Sequence, residues 1–517
     1  MQKVYSRVLL VDASEHPPHT VSVRALDLNA RGKDDRAIVR KYPVHTVFRS
    51  LQSAADATQG GDLVAVMPGR YAGFMLRERP GAGDQRYIHF RAIGKPGDVT
   101  IDEPSPDPDW MILLQSTHHV IVQGFNIAGS TAPGEEPKGP RAGIMLDGDF
   151  GRSGQLTHHI AIIDTFSHNH RKWGLHSTDT HSVLLQDNVF ALSALEHSAY
   201  VSDGSDNYVI RRNIFFGSSS GGLQCNLDPV SSFHELLKNA SLKDYRKEEP
   251  TRAWALGLVK LATQKFGENN FPDGKGLNFI IEENVINRNG KVGGGSLNLA
   301  GLQDSLIQNN LIYGNLNHGI AQWDDGNPYD KAYVKPGPQS PGEVTKPADL
   351  PMWGCHGNLI RNNTVLMANP ERAAMQCRNG SWGTQMYNNI FINDEPSSIE
   401  IFNTSIYRLQ AAFNVFRAVS YPDVAESLRS LAVNLPEGRL NVGGITLKEA
   451  AAQFMRYGEE PWVIVSATWW QLNPNRPDFR PKAGSTLFAR RGDAKELPPR
   501  DGLGKRRKKP SLGALAP

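Results

Sequence analysis

Short apolar segments that contain an asparagine recur along this chain at a nearly constant spacing. They are QDNVF around Asn188, RRNIF around Asn213, EENVI around Asn284, QNNLI around Asn310, RNNTV around Asn363, NNIF around Asn389 and FNVF around Asn414. The intervals are 25, 71, 26, 53, 26 and 25 residues, so the two long ones equal one period plus roughly 46 and 27 inserted residues. A period of about 25 with strand-like alternation and no recurring helix signal predicts a β-solenoid, in which each coil buries its inner face by stacking on its neighbours.

A second strand-like segment occurs in each repeat, in sequences such as GLHST, AYVSD, GLQCN, SLNLA, GIAQW and AMQCR. Side chains alternate across a strand, so one set of these residues is predicted to point inward. This set comprises Leu175, Ala199, Leu223, Leu297, Ile320 and Met375, with Val201, Cys225 and Leu299 behind them. The outward residues are predicted to form two columns: Met145, His176, Tyr200, Gln224, Asn298, Ala321, Gln376 and Glu400, and beside them Asp147, Thr178, Ser202, Asn226, Ala300, Trp323 and Arg378.

The repeated asparagine is predicted to be structural. At a tight bend Asn tolerates left-handed backbone angles, and its amide can bond to backbone or to the same amide one coil above and below, at about 4.8 Å. We therefore expect a ladder of asparagines along the solenoid.

These repeats resemble the right-handed parallel β-helix superfamily, with the short repeats of pectate-lyase-like proteins, over roughly residues 45–420. The segment VFRSLQSAADATQGGDLVAVMPGRYAG looks like the capping helix and first coil of such proteins, and NPNRPDFRPKAGSTLFARRG resembles their closing segment. The resemblance implies an all-β fold: N-terminal strands or a cap in 1–44, the helix in 45–420 with insertions at about 229–274 and 328–354, a C-terminal cap in 421–500 and a basic, disordered tail in 501–517.

Charge and composition limit the kinds of molecule that this protein is expected to bind. The formal net charge of +3 over 517 residues predicts no nucleic-acid partner, and no apolar run is long enough to insert into a membrane. The three cysteines lack metal-ligand spacing and are predicted to fill the core. No signal-peptide pattern opens the chain, so we expect a cytoplasmic protein unless an export signal is missing from this sequence, in which case it is secreted or periplasmic. We expect a monomer.

The outward columns are rich in His, Tyr, Gln, Asn, Trp and Arg, which is typical of a sugar-binding surface. Both insertions leave the coil at the same corner beside these columns and are predicted to wall a groove. The segments SSFHELLKNA and RAWALGLVKLATQKFG of the first insertion are predicted helices.

Acidic residues follow the same strand in several coils: Asp179, Asp203, Asp228, Asp324 and Asp325. Three interpretations stay open, namely turn residues, an acid and base pair for glycoside hydrolysis, or a calcium site at Asp203 and Asp228. The histidines of SHNHRKWGLH and nearby give no recognised zinc ligand set. His176 is the exception, because its column neighbours suit a general base.

The resemblance implies action on acidic polysaccharides, by β-elimination in many members and by hydrolysis or epimerisation in others. For elimination we predict Arg378 or Lys172 as the group that neutralises the uronate carboxylate, His176 as the base and Tyr200 as the acid. Gln224, Asn226, Asn298, Trp323, Asp325 and Gln376 are predicted to bind the sugar chain. The alternatives are a glycoside hydrolase that uses Asp203 or Asp228 with Asp325, and a carbohydrate-binding or adhesion solenoid without chemistry. Neither an NTD and GHG pair, as in polygalacturonases, nor a DPHE motif, as in epimerases, is present.

Overall fold

Three long parallel sheets run the length of the molecule in a computed structural model, and each coil contributes one strand to each sheet. The predicted fold class, a right-handed parallel β-helix, is confirmed. The structure describes residues 5–24, 26, 39–78, 86–131, 135–245, 251–290, 292, 294–330, 350–369, 371–378, 380–395, 397–438, 441–456, 462–466, 469–472, 478–482, 485, 498–499, 501, 507 and 513–514.

The largest sheet, sheet A, has 13 strands. They are Val8–Val11, Thr46–Phe48, Leu63–Val66, Ile88–Ala92, His118–Gln123, Thr157–Ile163, Thr180–Gln186, Asp206–Arg211, Ile280–Glu282, Leu306–Gln308, Leu359–Arg361, Gln385–Tyr387 and Gln410–Ala412. The segment VLLV in the predicted N-terminal cap is thus a strand of this sheet, between Thr46–Phe48 and Leu63–Val66.

Sheet B carries the predicted outward columns and has 11 strands. They are Phe74–Arg77, Trp110–Gln115, Ala142–Asp147, Trp173–Thr178, Ala199–Ser202, Leu223–Asn226, Gly295–Ala300, His318–Trp323, Met375–Cys377, Ile399–Ile401 and Val419–Ser420.

Sheet C, also of 11 strands, was not separated from sheet A by the sequence pattern, because most of its strands are only three or four residues long and follow the asparagine directly. They are Gly69–Ala72, Val99–Glu103, Asn126–Ala128, Phe166–His168, Val189–Ala191, Ile214–Phe216, Val285–Asn287, Leu311–Tyr313, Thr364–Met367, Ile390–Asn393 and Val415–Phe416.

Short elements complete the described part of the chain. The hairpins Thr20–Arg24 with Val39–Pro43, Phe454–Arg456 with Asp478–Pro481, and Trp462–Ser466 with Trp469–Leu472 are antiparallel, and Gly276–Leu277 pairs with Leu302–Gln303 in parallel. The helices are α1 (Leu51–Asp56), α2 (Phe150–Ser153), α3 (Pro229–Lys238), α4 (Arg252–Phe266) and α5 (Leu447–Ala452), with 3-10 turns at Asn403–Ile406 and Glu426–Leu431. The helices predicted in both halves of the first insertion are confirmed. Among the described residues, no helix has the length and apolar character that a membrane span requires.

The asparagine ladder is confirmed and gains one rung, Asn441. Each rung donates its amide to the next rung's oxygen, from Asn188 through Asn213, Asn284, Asn310, Asn363, Asn389 and Asn414. The expected left-handed angle at these asparagines is wrong. It belongs to the residue before each of them: Asp187, Arg212, Glu283, Asn309, Asn362, Asn388 and Phe413 have φ between 53° and 59°.

The core lies inside the three sheets, and every predicted inward residue of sheet B is fully buried. The three cysteines are free and buried in this core, as predicted. Only part of the predicted closing segment and tail is described. Within it, Arg507 is buried and donates to Asn309 Oδ1 at 2.9 Å, so this position of the expected disordered tail packs on the solenoid.

Candidate functional site

Both predicted columns on the outer face of sheet B are confirmed by the strand register. Met145, His176, Tyr200, Gln224, Asn298, Ala321, Gln376 and Glu400 pair in that order along the sheet. Asp147, Thr178, Ser202, Asn226, Ala300 and Trp323 pair beside them, and Arg378 follows the last paired residue of its strand. The face is therefore a continuous strip of polar and aromatic groups.

Four rings meet at one place on this strip, and we call them the aromatic group: Trp110, Trp173, His176 and Tyr200. The imidazole of His176 stacks on the ring of Tyr200 with centroids 5.2 Å apart and 14° between the planes. It also lies 4.4 Å from Trp173 and 6.5 Å from Trp110. Sequence reasoning missed both tryptophans, although WMILLQ and WGLHST begin with Trp at the same strand position.

Two cations flank the aromatic group. The guanidinium of Arg141 lies 5.4 Å from the Trp110 ring and 5.5 Å from the Trp173 ring, and Lys172 Nζ lies 5.0 Å from the Trp173 ring. Lys172 also faces Glu196 at 3.7 Å. The predicted Lys172 is thus beside His176, and Arg141 is an additional cation that the sequence did not indicate.

Arg378 does not join this group. It lies on the strand five positions along sheet B from that of His176, which is about 24 Å at about 4.8 Å per strand. Its guanidinium instead lies 5.9 Å from the ring of Trp323. At that distance Arg378 cannot act at the same point as His176, and this corrects its predicted role beside the base.

Burial shifts the pKa values of the two central residues, His176 and Tyr200, in opposite directions. It lowers the pKa of His176 to about 3, assisted by the positive charges of Arg141 and Lys172. Burial also raises the pKa of Tyr200, against the hydrogen bond from Asn226. At neutral pH His176 is therefore an uncharged imidazole, and Tyr200 keeps its proton.

Contacts of His176 distinguish its two ring nitrogens. Nε2 lies 3.4 Å from Ser202 Oγ, whereas Nδ1 is buried and has no hydrogen-bond partner within the described residues. Nε2 is therefore the ring nitrogen that faces the neighbouring strand of sheet B, and Nδ1 is the buried one.

Amide side chains continue the strip beyond Tyr200. Asn226 donates to the Tyr200 hydroxyl at 3.2 Å and to Asp325 Oδ2 at 2.8 Å, and Asn298 donates to Gln224 Oε1 at 2.6 Å. The Oδ1 atoms of Asn226 and Asn298 and Nε1 of Trp323 have no partner among the described residues. Further along, Gln376 donates to Glu400 at 2.8 Å. Five of the six predicted sugar-binding residues thus lie on the strip, and the sixth, Asp325, lies just beyond a strand end and accepts from Asn226.

An acidic cleft of about 740 Å³ lies at the carboxyl-terminal edge of sheet B, between the strand ends and helix α3. Its lining includes Asp147, Asp179, Asp203 and Glu235. Burial raises the pKa of all three aspartates, that of Asp203 to about 6, and the charge of Asp203 adds to the effect at Asp179. Thr178 donates to Asp203 at 2.6 Å.

Asp228, the other predicted calcium ligand, caps helix α3. Its carboxylate accepts from the backbone of Val230 at 2.8 Å and from the hydroxyl of Ser231 at 2.7 Å. The sequence DPVSS contains this cap signal, an aspartate before a proline at the first helical position. Asp228 therefore caps α3, and its charge adds to burial in raising the pKa of Asp203, so the two predicted calcium ligands lie near each other.

The two insertions form one apolar cluster beside the strip. Phe233 of α3 packs with Trp254 of α4 and with Tyr329 and Trp353 of the second insertion, at ring distances of 5.2–6.0 Å. The predicted wall is therefore present in the described residues, while residues 331–349 of the second insertion lie outside them.

Comparisons with known proteins concern the fold. No protein-family model matches the sequence, and no curated protein matches it. Similar solved structures include pectate lyase Pel9A, with 12% identity, a TM-score of 0.49 and coverage of 99% of this chain and 97% of that one. The surface adhesin PfbA of Streptococcus pneumoniae has 13% identity and a TM-score of 0.44, over 71% of this chain and 81% of the adhesin. An alginate lyase from Paenibacillus sp. str. FPU-7 has 14% identity and a TM-score of 0.35, over 77% and 96%. At these values the similarities identify neither a substrate nor an active residue.

Proposed function

We propose that this chain is a polysaccharide lyase that cleaves a uronic-acid-containing polymer bound along the outer strip of sheet B. The observation that carries the proposal is the aromatic group, where an uncharged imidazole stacks on a protonated tyrosine between two cations. β-Elimination needs a base, an acid and a positive charge at one point, and these residues supply all three.

Arg141 and Lys172 are the groups proposed to hold the uronate carboxylate. Neutralising this carboxylate makes the C5 proton more acidic and stabilises the negative charge that develops when the proton leaves. Burial is the main cause of the low pKa of His176, and the charges of Arg141 and Lys172 add to it. A carboxylate bound between these cations offsets their part of the shift, which favours proton uptake by the imidazole.

His176 and Tyr200 are proposed to move the protons. Nε2 of His176 takes the C5 proton, and the electron pair of that bond forms a double bond between C4 and C5. The bond from C4 to the glycosidic oxygen breaks, and this oxygen takes the hydroxyl proton of Tyr200. The raised pKa of Tyr200 suits it to be the donor rather than the base.

A glycoside hydrolase is the second candidate, supported by the raised pKa of Asp203, at about 6, which suits a general acid. The second catalytic carboxylate would be Asp325, which accepts a hydrogen bond from Asn226, whereas Asp228 caps helix α3. A carbohydrate-binding solenoid is the third, because the strip offers rings and amides without requiring a reaction.

Incubation of the purified protein with a panel of uronate-containing polysaccharides separates these candidates. A lyase produces new reducing ends together with the ultraviolet absorbance of an unsaturated uronate. Reducing ends without that absorbance indicate the hydrolase, and retention on the polymer without either product indicates a binding module.

Calcium remains a proposal for the acidic cleft, at Asp203 and Asp228, with the carboxyl group of Asp179 next to that of Asp203. Stacked, mutually repelling carboxylates are hard oxygen ligands of the kind that calcium prefers. Titration of chelator-treated protein with calcium, repeated on Asp179→Asn, tests it, and equal heats in the two proteins would contradict it.

A further inference from the structure

A cluster of five histidines lies on sheet A, away from the strip of sheet B. We call it the histidine cluster: His118, His119, His158, His159 and His181. The sequence contains THH at 117–119, THH again at 157–159 and TH at 180–181. The strand register places His118, His158 and His181 directly above one another, and their rings stack at 4.6 and 4.8 Å.

The second histidine of each pair has an unusual backbone angle that brings it to the first. In a regular strand consecutive side chains point to opposite faces. His119 and His159 have φ of 57° and 55°, and this left-handed backbone reverses the alternation. As a result the Nδ1 atoms of His118 and His119 are 2.8 Å apart and those of His158 and His159 are 2.7 Å apart. The rings of His119 and His159 also stack, at 4.5 Å.

Three imidazoles converge closely enough to hold an ion. One ligand nitrogen each from His119, His158 and His159 lies within 4.8 Å of the others. A tetrahedral zinc ion with bonds of about 2.1 Å holds its nitrogens about 3.4 Å apart, so binding requires the rings to move together by up to about 1.4 Å. His158 and His159 are partly exposed, and His119 is buried beneath them.

We propose that the histidine cluster binds one divalent transition-metal ion of the zinc class through His119, His158 and His159. An all-nitrogen donor set favours zinc, nickel, copper or cobalt over calcium and magnesium, which prefer oxygen. Three protein ligands leave a coordination position for water. His118 and His181 stack on His158 and hold its ring in place.

Titration of the chelator-treated full chain with zinc, and with cobalt followed by its visible absorption, tests the site. We expect one ion per chain, a rise in the melting temperature on binding, and no response to magnesium. His158→Gln and His159→Gln should each weaken binding by at least about tenfold. His16→Gln, at an exposed histidine outside the cluster, is the matched control and should bind as the wild type does.

Circular dichroism and melting of the metal-free variants confirm that they fold, and His119→Gln replaces any variant that does not. Absence of binding to the wild type, or equal affinity in folded cluster variants and the control, would overturn the proposal. Because sheet A and the aromatic group of sheet B are separate, loss of the metal leaves the test of lyase activity unaffected.

Discussion

Each ladder asparagine satisfies backbone groups as well as its neighbours, which explains why this residue type recurs. The amide of Asn310 donates to the carbonyl of Ile281 at 2.8 Å and to Asn363 Oδ1 at 2.9 Å, while its oxygen accepts two hydrogen bonds from Asn284. No other side chain of this size offers both a donor and an acceptor in this geometry. The ladder is a structural element of the solenoid, as its spacing predicted.

Replacement of one rung therefore has a large expected cost. Asn310→Ala leaves the carbonyl of Ile281 and the N–H groups of Asn284 without their partners in the interior, at about 1–3 kcal/mol for each unsatisfied group. We expect the free energy of unfolding to fall by about 3 kcal/mol or more in denaturant titration. Asn434→Ala, at an exposed position, is the control, and equal midpoints for the two variants would contradict the ladder's role.

Asp206 is expected to make the stability of the folded protein depend on pH. Burial, with the charge of Asp273, raises its pKa to about 8 in the folded protein, whereas an aspartate in water has a pKa of about 3.9. Between these values the folded state holds a proton that the unfolded state has lost, so stability falls as pH rises through this window. Asp206→Asn removes the effect, and its melting temperature relative to wild type should rise from about pH 5 to about pH 9. The exposed Asp244→Asn should show no such trend, and a constant difference for Asp206→Asn would refute the assignment.

Strand alternation identified both columns of sheet B from sequence because a period of two is a local property. The residues that sequence reasoning missed lie where that period is broken or where side chains of different coils meet. Arg141 lies just before its strand, and its approach to Trp173 depends on the turn of the next coil. The histidine cluster was missed although THH is visible in the sequence, because alternation places neighbouring histidines on opposite faces and the positive φ of His119 and His159 reverses this.

The insertion wall depends on one buried ring. Phe233 contacts Trp254, Tyr329 and Trp353, so Phe233→Ala opens a cavity between both insertions. A loss of about 3–5 kcal/mol is expected. The wall should then open locally, with faster protease cleavage in 229–274, while the coils stay intact. Leu256→Ala, at a 40% exposed side chain of α4, is the control, and equal cleavage rates would contradict the packing.

At the scale of the whole molecule, stacking turns single residues of successive coils into a long strip, which we propose as the binding surface for a polymer. His176 and Arg378 stand about 24 Å apart along this strip. Periodicity predicted the strip and the order of residues along it. Five strand spacings between His176 and Arg378 follow from that order, and they exclude the predicted action of Arg378 at the same point as His176.

Arg378 is therefore expected to affect the binding of long polymer chains and not the rate of the chemical step. Arg378→Ala should raise KM several-fold for long chains that reach Trp323 and leave kcat unchanged. Short oligosaccharides that occupy only the aromatic group should be cleaved as by the wild type. Lys172→Ala should instead lower kcat/KM for both, and a drop in kcat of Arg378→Ala on short substrates would refute the separation.

The most direct test of the proposed chemistry is the rate of unsaturated-product formation by His176→Gln and Tyr200→Phe on the best uronate polymer. Removal of a general base or acid costs typically about 100-fold to 10,000-fold, so we expect kcat to fall by at least about 100-fold in each variant. Tyr387→Phe, which changes the same residue type on sheet A, should keep the wild-type rate. Full activity in both His176→Gln and Tyr200→Phe would contradict the account.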